Sequence, residues 1–220
     1  MKSLFYPEHS YWQMAAAKEI IDLGGGNDDL KDHAEAQLES AVALQHRLLS
    51  NGVAYLADEV GMGKTYVALA TIALFRFMQP GFRVLYITPS ENVRQKWAER
   101  ELPAFVRHNL RHSDFRLRGP GHQSVSRTAS FNKIDDFAVS CAGHDTPGDT
   151  FLSITTLSFP LTDDANSSRV RLIDLMDKCG KKMHMGGPMT KDRAKSMAAE
   201  LLHSVMPVYD LIVIDEAHLL

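Results

Sequence analysis

The chain of 220 residues has little cysteine, little net charge and no long hydrophobic run. Its two cysteines, Cys141 and Cys179, are too few for a disulfide framework and fit a reducing compartment such as the cytoplasm. A net charge of −3 provides no overall positive field, so a nucleic-acid site would have to be local. No stretch approaches the roughly 18 apolar residues of a membrane span, and no apolar signal core opens the chain. We therefore expect a cytoplasmic globular protein without membrane contact.

Short apolar runs alternate with helical patterns along the chain. The runs predict four strands, at residues 53–57, 83–88, 151–155 and 210–215. The periodic segments predict five helices, from Asn27 or Asp28 to the Asn51-Gly52 pair, from Lys64 to about Met78, from Ser90 to about Leu102, from Ser167 or Ser168 to near Cys179, and from Thr190 to about Val205. Strands that are apolar on both faces and alternate with helices indicate an α/β fold, with a parallel sheet covered by helices on both faces.

Three segments lack such a pattern, and we expect loops or small insertions there. They are residues 107–133, 134–149 and 180–189. The first carries six basic residues against the single acid Asp114. It fits a DNA-facing loop and a solvated surface loop equally well.

The segment from Ala57 to Thr65 lies between an expected strand and an expected helix, which is the context of a phosphate-binding loop. Gly61 and Gly63 allow the backbone to curl so that its N–H groups point inward, and the helix N-terminus adds partial positive charge. Lys64 can reach the β- and γ-phosphates, while the hydroxyl of Thr65 can hold Mg²⁺. A turn that merely contains Gly-Lys-Thr is the alternative.

Asp215 and Glu216 follow the last expected strand directly. A carboxylate at a strand end can hold Mg²⁺ beside bound phosphates. Its neighbour can orient and deprotonate the attacking water. A solvated acidic pair is the alternative, but an acidic pair that follows a phosphate loop in one chain favours nucleotide chemistry.

These segments resemble the Swi/Snf-like branch of superfamily 2 helicases and translocases. The residues from Ala57 to Thr65 are similar to motif I, in which that branch has an Asp-Glu pair before the glycines. Val84 to Ser90, continuing to Gln95-Lys96-Trp97, is similar to motif Ia, and Ile154 to Thr156 to motif Ib. Asp215 to His218 is similar to motif II, the DEAH box. Gln37 lies upstream of motif I, as the family's adenine-reading glutamine does.

The resemblance implies a RecA-like P-loop NTPase lobe that uses ATP and Mg²⁺. It implies adenine contact by Gln37, and nucleotide contacts by Gly61, Met62, Gly63, Lys64 and Thr65. It assigns the metal to Thr65 and Asp215 and catalysis to Glu216 and Lys64. It also implies DNA backbone contacts by Pro89, Ser90, Gln95, Thr155 and Thr156. Ser90 could instead be only a helix cap, Thr155 and Thr156 only strand residues, and Gln37 only a solvated helix residue.

The resemblance also sets the expected domain organisation. Residues 1–26 would be an N-terminal extension, and residues 27–220 a first RecA-like lobe with insertions at about 107–150 and 160–209. The family continues beyond the DEAH box with a strand that carries motif III and a second lobe that supplies arginines to the transferred phosphoryl group. We therefore expect this sequence to be a piece of a longer polypeptide, poorly active alone. Its expected partners are that second lobe and double-stranded DNA.

Two other functions fit the same residues. One is an RNA helicase or single-strand DNA helicase lobe of the wider superfamily. The other is a catalytically inert scaffold module, in which ATP only orders a surface for a partner.

Overall fold

The computed structural model describes residues 11–57, 63–79, 81–111, 128–143, 148–157 and 164–217. They form two compact units. The first comprises the described residues within 1–82 and 95–127, and the second comprises those within 83–94 and 128–220. The predicted sites are therefore distributed over two bodies, each of which has its own packing.

The first unit is helical. Its elements are α1 (Met14–Ile20), α2 (Lys31–Asn51), α3 (Lys64–Met78), a π-helical segment (Lys96–Glu101) and α5 (Leu102–His108). Helix α2 ends at Gly52, whose φ of 73° is the left-handed cap conformation expected from the Asn-Gly pair. The indole N–H of Trp12 donates to the carbonyl of Leu74 at 3.1 Å, and the hydroxyl of Thr71 donates to the carbonyl of Ala41 at 3.2 Å. These bonds join α3 to Trp12 and to α2, and so position the helix that follows the predicted phosphate loop.

Residues 53–57 form no β-strand, and that prediction was wrong. The side chains of Val53 and Tyr55 are 72% and 68% exposed. A strand exists only where a neighbouring strand satisfies its backbone N–H and C=O groups. An apolar run such as residues 53–57 has side chains that can be buried, but it does not ensure that a neighbouring strand is present to bond its backbone.

The second unit is built on a parallel sheet of four strands, in the order β2-β3-β1-β4. The strands are β1 (Val84–Thr88), β2 (Thr128–Phe131), β3 (Asp149–Ser153) and β4 (Leu211–Ile214). Three of the four predicted strands are confirmed within two residues, and the predicted α/β parallel fold is confirmed. Strand β2 was missed because it lies in the basic segment that we expected to be a loop. Residues 112–127 of that segment lie outside the described residues.

Four helices accompany this sheet. They are α4 (Glu91–Gln95, whose last residue falls in the first unit), α6 (Ile134–Ala142), α7 (Ala165–Lys178) and α8 (Lys191–Val205). Leu85 of β1 and Leu152 of β3 are buried in one apolar core with α6, α7 and α8. Helix α6 lies in 134–149, so the prediction of a loop there was wrong: Ile134, Phe137 and Cys141 follow helical spacing and are buried.

The helix caps confirm one prediction and correct another. Thr190 caps α8, as predicted, and accepts a hydrogen bond from the backbone N–H of Arg193 at 3.2 Å. Helix α7 is capped by Asp164 rather than by Ser167 or Ser168. Asp164 accepts hydrogen bonds from the hydroxyl of Ser167, from the backbone N–H of Ser167 and from that of Asn166, and these bonds lower its pKa. A carboxylate also suits the positive end of the helix.

The helix predicted from Ser90 to about Leu102 continues to His108 as three consecutive elements, α4, the π-helical segment and α5. Pro103 falls in the first turn of α5, after the π-helical segment. A proline inside a helix leaves the carbonyl four residues before it without that donor. The π-helical segment that precedes Pro103 changes the hydrogen-bond spacing at this point, and the N–H of Leu102 bonds to the carbonyl of Trp97, five residues earlier.

The two cysteines offer a test of the core of the second unit. Both are buried, Cys141 on α6 and Cys179 after α7. Burial, and after it the nearby Cys179, raises the pKa of Cys141 to about 12, and burial raises the pKa of Cys179. We predict that neither thiol reacts with a disulfide reagent at pH 8 in the folded protein, because thiolate is the reactive form. Both should react after denaturation, and rapid labelling of the folded protein would contradict this packing.

Candidate functional site

The Gly63 turn opens helix α3. Gly63 has a φ of 75°, in the left-handed region that glycine adopts at little cost. Its carbonyl accepts the N–H groups of Tyr66 at 2.9 Å and Val67 at 3.1 Å, which closes the first helical turn. Lys64 and Thr65 are half-buried in that turn. The first N–H groups of a helix have no intrahelical acceptor and attract an anion, so this end of α3 fits a phosphate group. Gly61 and Met62 lie outside the described residues.

The aromatic residue after Thr65 holds this turn in place. The ring of Tyr66 meets that of Phe105 edge to face, with centroids 6.1 Å apart. Burial, and after it the carboxylate of Glu101, raises the pKa of Tyr66. The phenol therefore stays neutral at physiological pH and anchors the start of α3 by packing.

Gln37 of α2 packs directly against Gly63. A Cβ on Gly63 would overlap the side-chain amide nitrogen of Gln37, so the amide fills the space of a side chain. Gly63 is thus required for two reasons, its left-handed φ and the closeness of Gln37. The structure brings the residue predicted to contact adenine beside the turn predicted to contact phosphates.

His33 lies one helical turn before Gln37 and contacts it. The Nε2 atom of Gln37 is 2.9 Å from the Nε2 atom of His33. Sequence reasoning missed His33, although its i,i+4 spacing from Gln37 on a helix could have revealed the pair.

Asp215 and Glu216 lie at the carboxyl end of β4, in the second unit. The N–H of Asp215 donates to the carbonyl of Ile87 at 2.9 Å, which continues the pairing of β4 with β1. Asp215 is half-buried, whereas Glu216 is exposed and has a φ of 54°. Non-glycine residues seldom adopt that conformation, and it often occurs at functional sites. His218 lies outside the described residues.

The residues predicted to contact DNA lie after two neighbouring strands of the same parallel sheet. Pro89 and Ser90 follow β1, and Thr155 and Thr156 follow β3, in a short 3₁₀ turn rather than in the strand itself. Parallel strands place their carboxyl ends at one edge, which is the usual ligand edge of such sheets. Gln95, the last residue of α4, is exposed and belongs to the first unit.

The two threonines differ in their surroundings. The Thr156 side chain is buried, and its hydroxyl bonds to Ser153 Oγ at 2.8 Å and donates to the carbonyl of Phe131 at 3.2 Å. Thr155 is exposed, and its hydroxyl lies 2.8 Å from the same Ser153 Oγ. Ser90 is half-buried, and its Oγ accepts the N–H of Val93 at 3.4 Å, which is the geometry of a helix cap.

Thr65, in the first unit, and Asp215, in the second, are the residues that the sequence predicts as ligands of Mg²⁺. A hydroxyl and one carboxylate suit this ion, which binds few protein ligands and completes its shell with water and phosphate oxygens. Within the described part of the chain, no group of three or more His, Cys, Asp or Glu side chains is placed to hold a metal ion by itself.

Comparison with known protein families identifies the class of this fold. The chain is a superfamily 2 helicase-like ATPase domain, an ATP-binding motor lobe of RecA-like architecture. It belongs to the ResIII family, described as the res subunit of type III restriction enzymes, whose model matches residues 10–220. Domains of this class generally use ATP and Mg²⁺.

No curated protein and no solved structure matched the chain. Among the described residues, no helix has both the length and the apolar character needed to span a membrane.

The Gly63 turn yields a prediction about stability. Gly63→Ala should lower the free energy of unfolding by at least about 1–2 kcal/mol, the cost of a left-handed alanine, because the new Cβ also overlaps Gln37. Urea unfolding measures the change. Gly81→Ala is the matched control, since a Cβ there meets nothing within 4 Å. Adding Gln37→Ala to Gly63→Ala should recover only part of the loss, because the φ strain remains. Equal stability of the two glycine variants would contradict this geometry.

Proposed function

We propose that the chain is the N-terminal motor lobe of a DNA-dependent ATPase or translocase of the Swi/Snf-like branch. It would hydrolyse ATP with Mg²⁺ when a second RecA-like lobe completes the site. Duplex DNA would be moved along the protein as the lobes close and open.

One observation supports the nucleotide site above the others. The Gln37 amide packs against Gly63 at the start of α3, so a candidate base contact and a candidate phosphate contact lie side by side in one rigidly packed unit. The two alternatives, a solvated helix glutamine and an incidental Gly-Lys-Thr turn, do not predict this contact.

The proposed roles follow from the chemistry of each side chain. Lys64 neutralises charge on the β- and γ-phosphates, while the first N–H groups of α3 bind phosphate oxygens. Thr65 and Asp215 would hold Mg²⁺, which would neutralise charge that develops on the phosphates. Glu216 takes the DEAH-box position and orients and deprotonates the water that attacks in line with the leaving oxygen.

The carboxyl edge of the second unit's sheet is the proposed DNA-facing region. Pro89, Ser90, Thr155 and Thr156 are the proposed contact residues at this edge, and Gln95, which belongs to the first unit, is the fifth proposed contact. Hydroxyls and amides suit phosphate contacts, which position a strand without reading its sequence. The exposed hydroxyl of Thr155 is the best placed of these groups, and the bonds of Thr156 support the turn that presents it.

Two substitutions separate binding from hydrolysis. Lys64→Ala should weaken ATP binding roughly 10- to 100-fold, because it removes hydrogen bonds between charged groups. Glu216→Gln should keep ATP binding and reduce turnover about 10²–10⁴-fold, the usual contribution of a general base. Titration with a fluorescent ATP analogue and a phosphate-release assay measure the two effects.

Matched controls are available on the exposed face of α8. Lys195→Ala and Glu200→Gln make the same chemical changes away from the site and should alter neither readout. Normal turnover in both Lys64→Ala and Glu216→Gln would refute the assignment. ATP binding by the unchanged protein without DNA-stimulated turnover, with the second lobe present, would favour the scaffold function.

The paired threonines test the DNA-facing edge. Thr155→Val should weaken duplex DNA binding roughly 3- to 10-fold, by one lost hydrogen bond, and leave stability nearly unchanged. Thr156→Val should instead lower the free energy of unfolding by about 1 kcal/mol, because it leaves buried partners unsatisfied. Filter binding with matched DNA and RNA duplexes and thermal unfolding give the readouts. Tighter binding to RNA would favour the RNA helicase alternative, and unchanged DNA affinity in Thr155→Val would remove Thr155 from the interface.

A further inference from the structure

A buried cation lies on the helix that follows β1. Arg94 of α4 is only 4% exposed. Its Nη2 atom donates to Oδ1 of Asn132 and lies 3.6 Å from Oε1 of Glu91, while its Nε has no hydrogen-bond partner in the described part of the chain. Burying an incompletely paired charge costs free energy, whereas an apolar side chain of similar size would pack there without that cost. The presence of an arginine therefore has to be explained by the partner that it reaches.

That partner, Asn132, connects α4 to the end of strand β2. A guanidinium group can only donate hydrogen bonds, so the amide of Asn132 must present its oxygen to Arg94. Asn132 directly follows Phe131, the last residue of β2. The carbonyl of Phe131 accepts the hydroxyl of Thr156 at 3.2 Å. The end of β2 is thus bonded both to α4 and to the turn that follows β3.

Further bonds close these segments into a ring at the carboxyl edge of the sheet. The backbone N–H of Arg94 donates to the carbonyl of Ser90 at 3.0 Å. The hydroxyl of Thr88 lies 3.1 Å from that same carbonyl oxygen and 3.3 Å from the carbonyl oxygen of Leu152 on β3. The ring therefore joins the segments at the ends of β1, β2 and β3, and all of it belongs to the second unit.

The ring holds two of the proposed DNA contacts. Ser90 is bonded to Arg94 and Thr88, as described. The hydroxyl of Thr155 lies 2.8 Å from Ser153 Oγ, which in turn lies 2.8 Å from the hydroxyl of Thr156. The spacing of Ser90 and Thr155 is thus set by the fold before any ligand binds. Groups that are already ordered lose less conformational entropy on binding.

We propose that Arg94 is a positioning residue of the DNA-facing edge. Through Asn132 it fixes the spacing of the Ser90 and Thr155 hydroxyls, so that the two bind the DNA backbone as a pair. The inference rests on the proposed function, because it takes these hydroxyls as DNA contacts. Phosphates recur at a regular interval along a DNA strand, which suits a pair of donors at a fixed spacing. The guanidinium itself is buried and acts through its partner.

Asn132→Ala tests this coupling at an exposed position. It removes the acceptor of Arg94 and should weaken duplex DNA binding roughly 3- to 10-fold, the worth of about one hydrogen bond. Arg94→Met fills a similar volume without the bonds and should give the same loss, and the double variant should lose no more than either alone. Filter binding measures the affinity, and thermal unfolding checks that each variant is folded. Asn51→Ala, at an exposed position of the first unit, is the matched control.

A Thr155→Val background separates positioning from the alternatives. A fixed spacing matters only while both hydroxyls are present, so Asn132→Ala should weaken DNA binding little further in Thr155→Val. A direct bond from Asn132 to DNA, or a purely structural role, would reduce the affinity by the same factor in both backgrounds.

The outcomes separate this inference from the proposed function. If the unchanged protein binds no duplex DNA, or if Ser90→Ala and Thr155→Val both leave the affinity unchanged, the DNA-facing edge and the role of Arg94 are overturned together. If those two variants weaken binding but Asn132→Ala does not, or if its effect persists in full in Thr155→Val, the edge stands and the role of Arg94 is overturned. A loss in Asn132→Ala that disappears in Thr155→Val would establish that role, even where Arg94→Met fails to fold.

Discussion

The close packing of the Gln37 amide on Gly63 is the constraint on which the proposed nucleotide site depends. A backbone without a side chain allows α2 to approach the start of α3, and the left-handed φ of Gly63 turns the chain into that helix. The residue proposed to contact the base, the turn proposed to contact the phosphates and a helix N-terminus are thereby held in one unit. Glycine meets both requirements, because it adopts the left-handed conformation of the turn at little cost and has no Cβ to overlap the glutamine.

In the second unit, the parallel sheet positions the candidate functional residues. Strands β1, β3 and β4 run in the same direction, so the residues that follow them meet at one edge. Asp215 and Glu216, Ser90, and Thr155 therefore become neighbours in the sheet although up to 126 positions separate them along the chain. Buried side chains of α6, α7 and α8 hold Leu85 and Leu152, and so fix the strands that carry this edge. The family model matches residues 10–220, which include the described residues of both units.

The sequence predicted the elements whose signals are local. Helix α3, the Gly52 cap of α2 and the Thr190 cap of α8 are all read from neighbouring residues, and all three are confirmed. The roles of Lys64, Asp215 and Glu216 in the chemistry remain predictions from the motifs. Strand β2 and helix α6 were missed because the charged composition around them hid short apolar patterns.

The sequence by itself determined the bounds of α3, the end of α2, the cap of α8 and which residue types could bind a nucleotide, since capping and motif chemistry act over a few positions. The tertiary structure decided which segments become strands, because a strand needs a partner that is distant in sequence. Residues 53–57 are apolar enough for a strand and form none, whereas Thr128–Phe131 forms one beside β3. It also decided that the Gln37 amide meets Gly63, since that contact joins two helices across an intervening segment whose path no local pattern specifies.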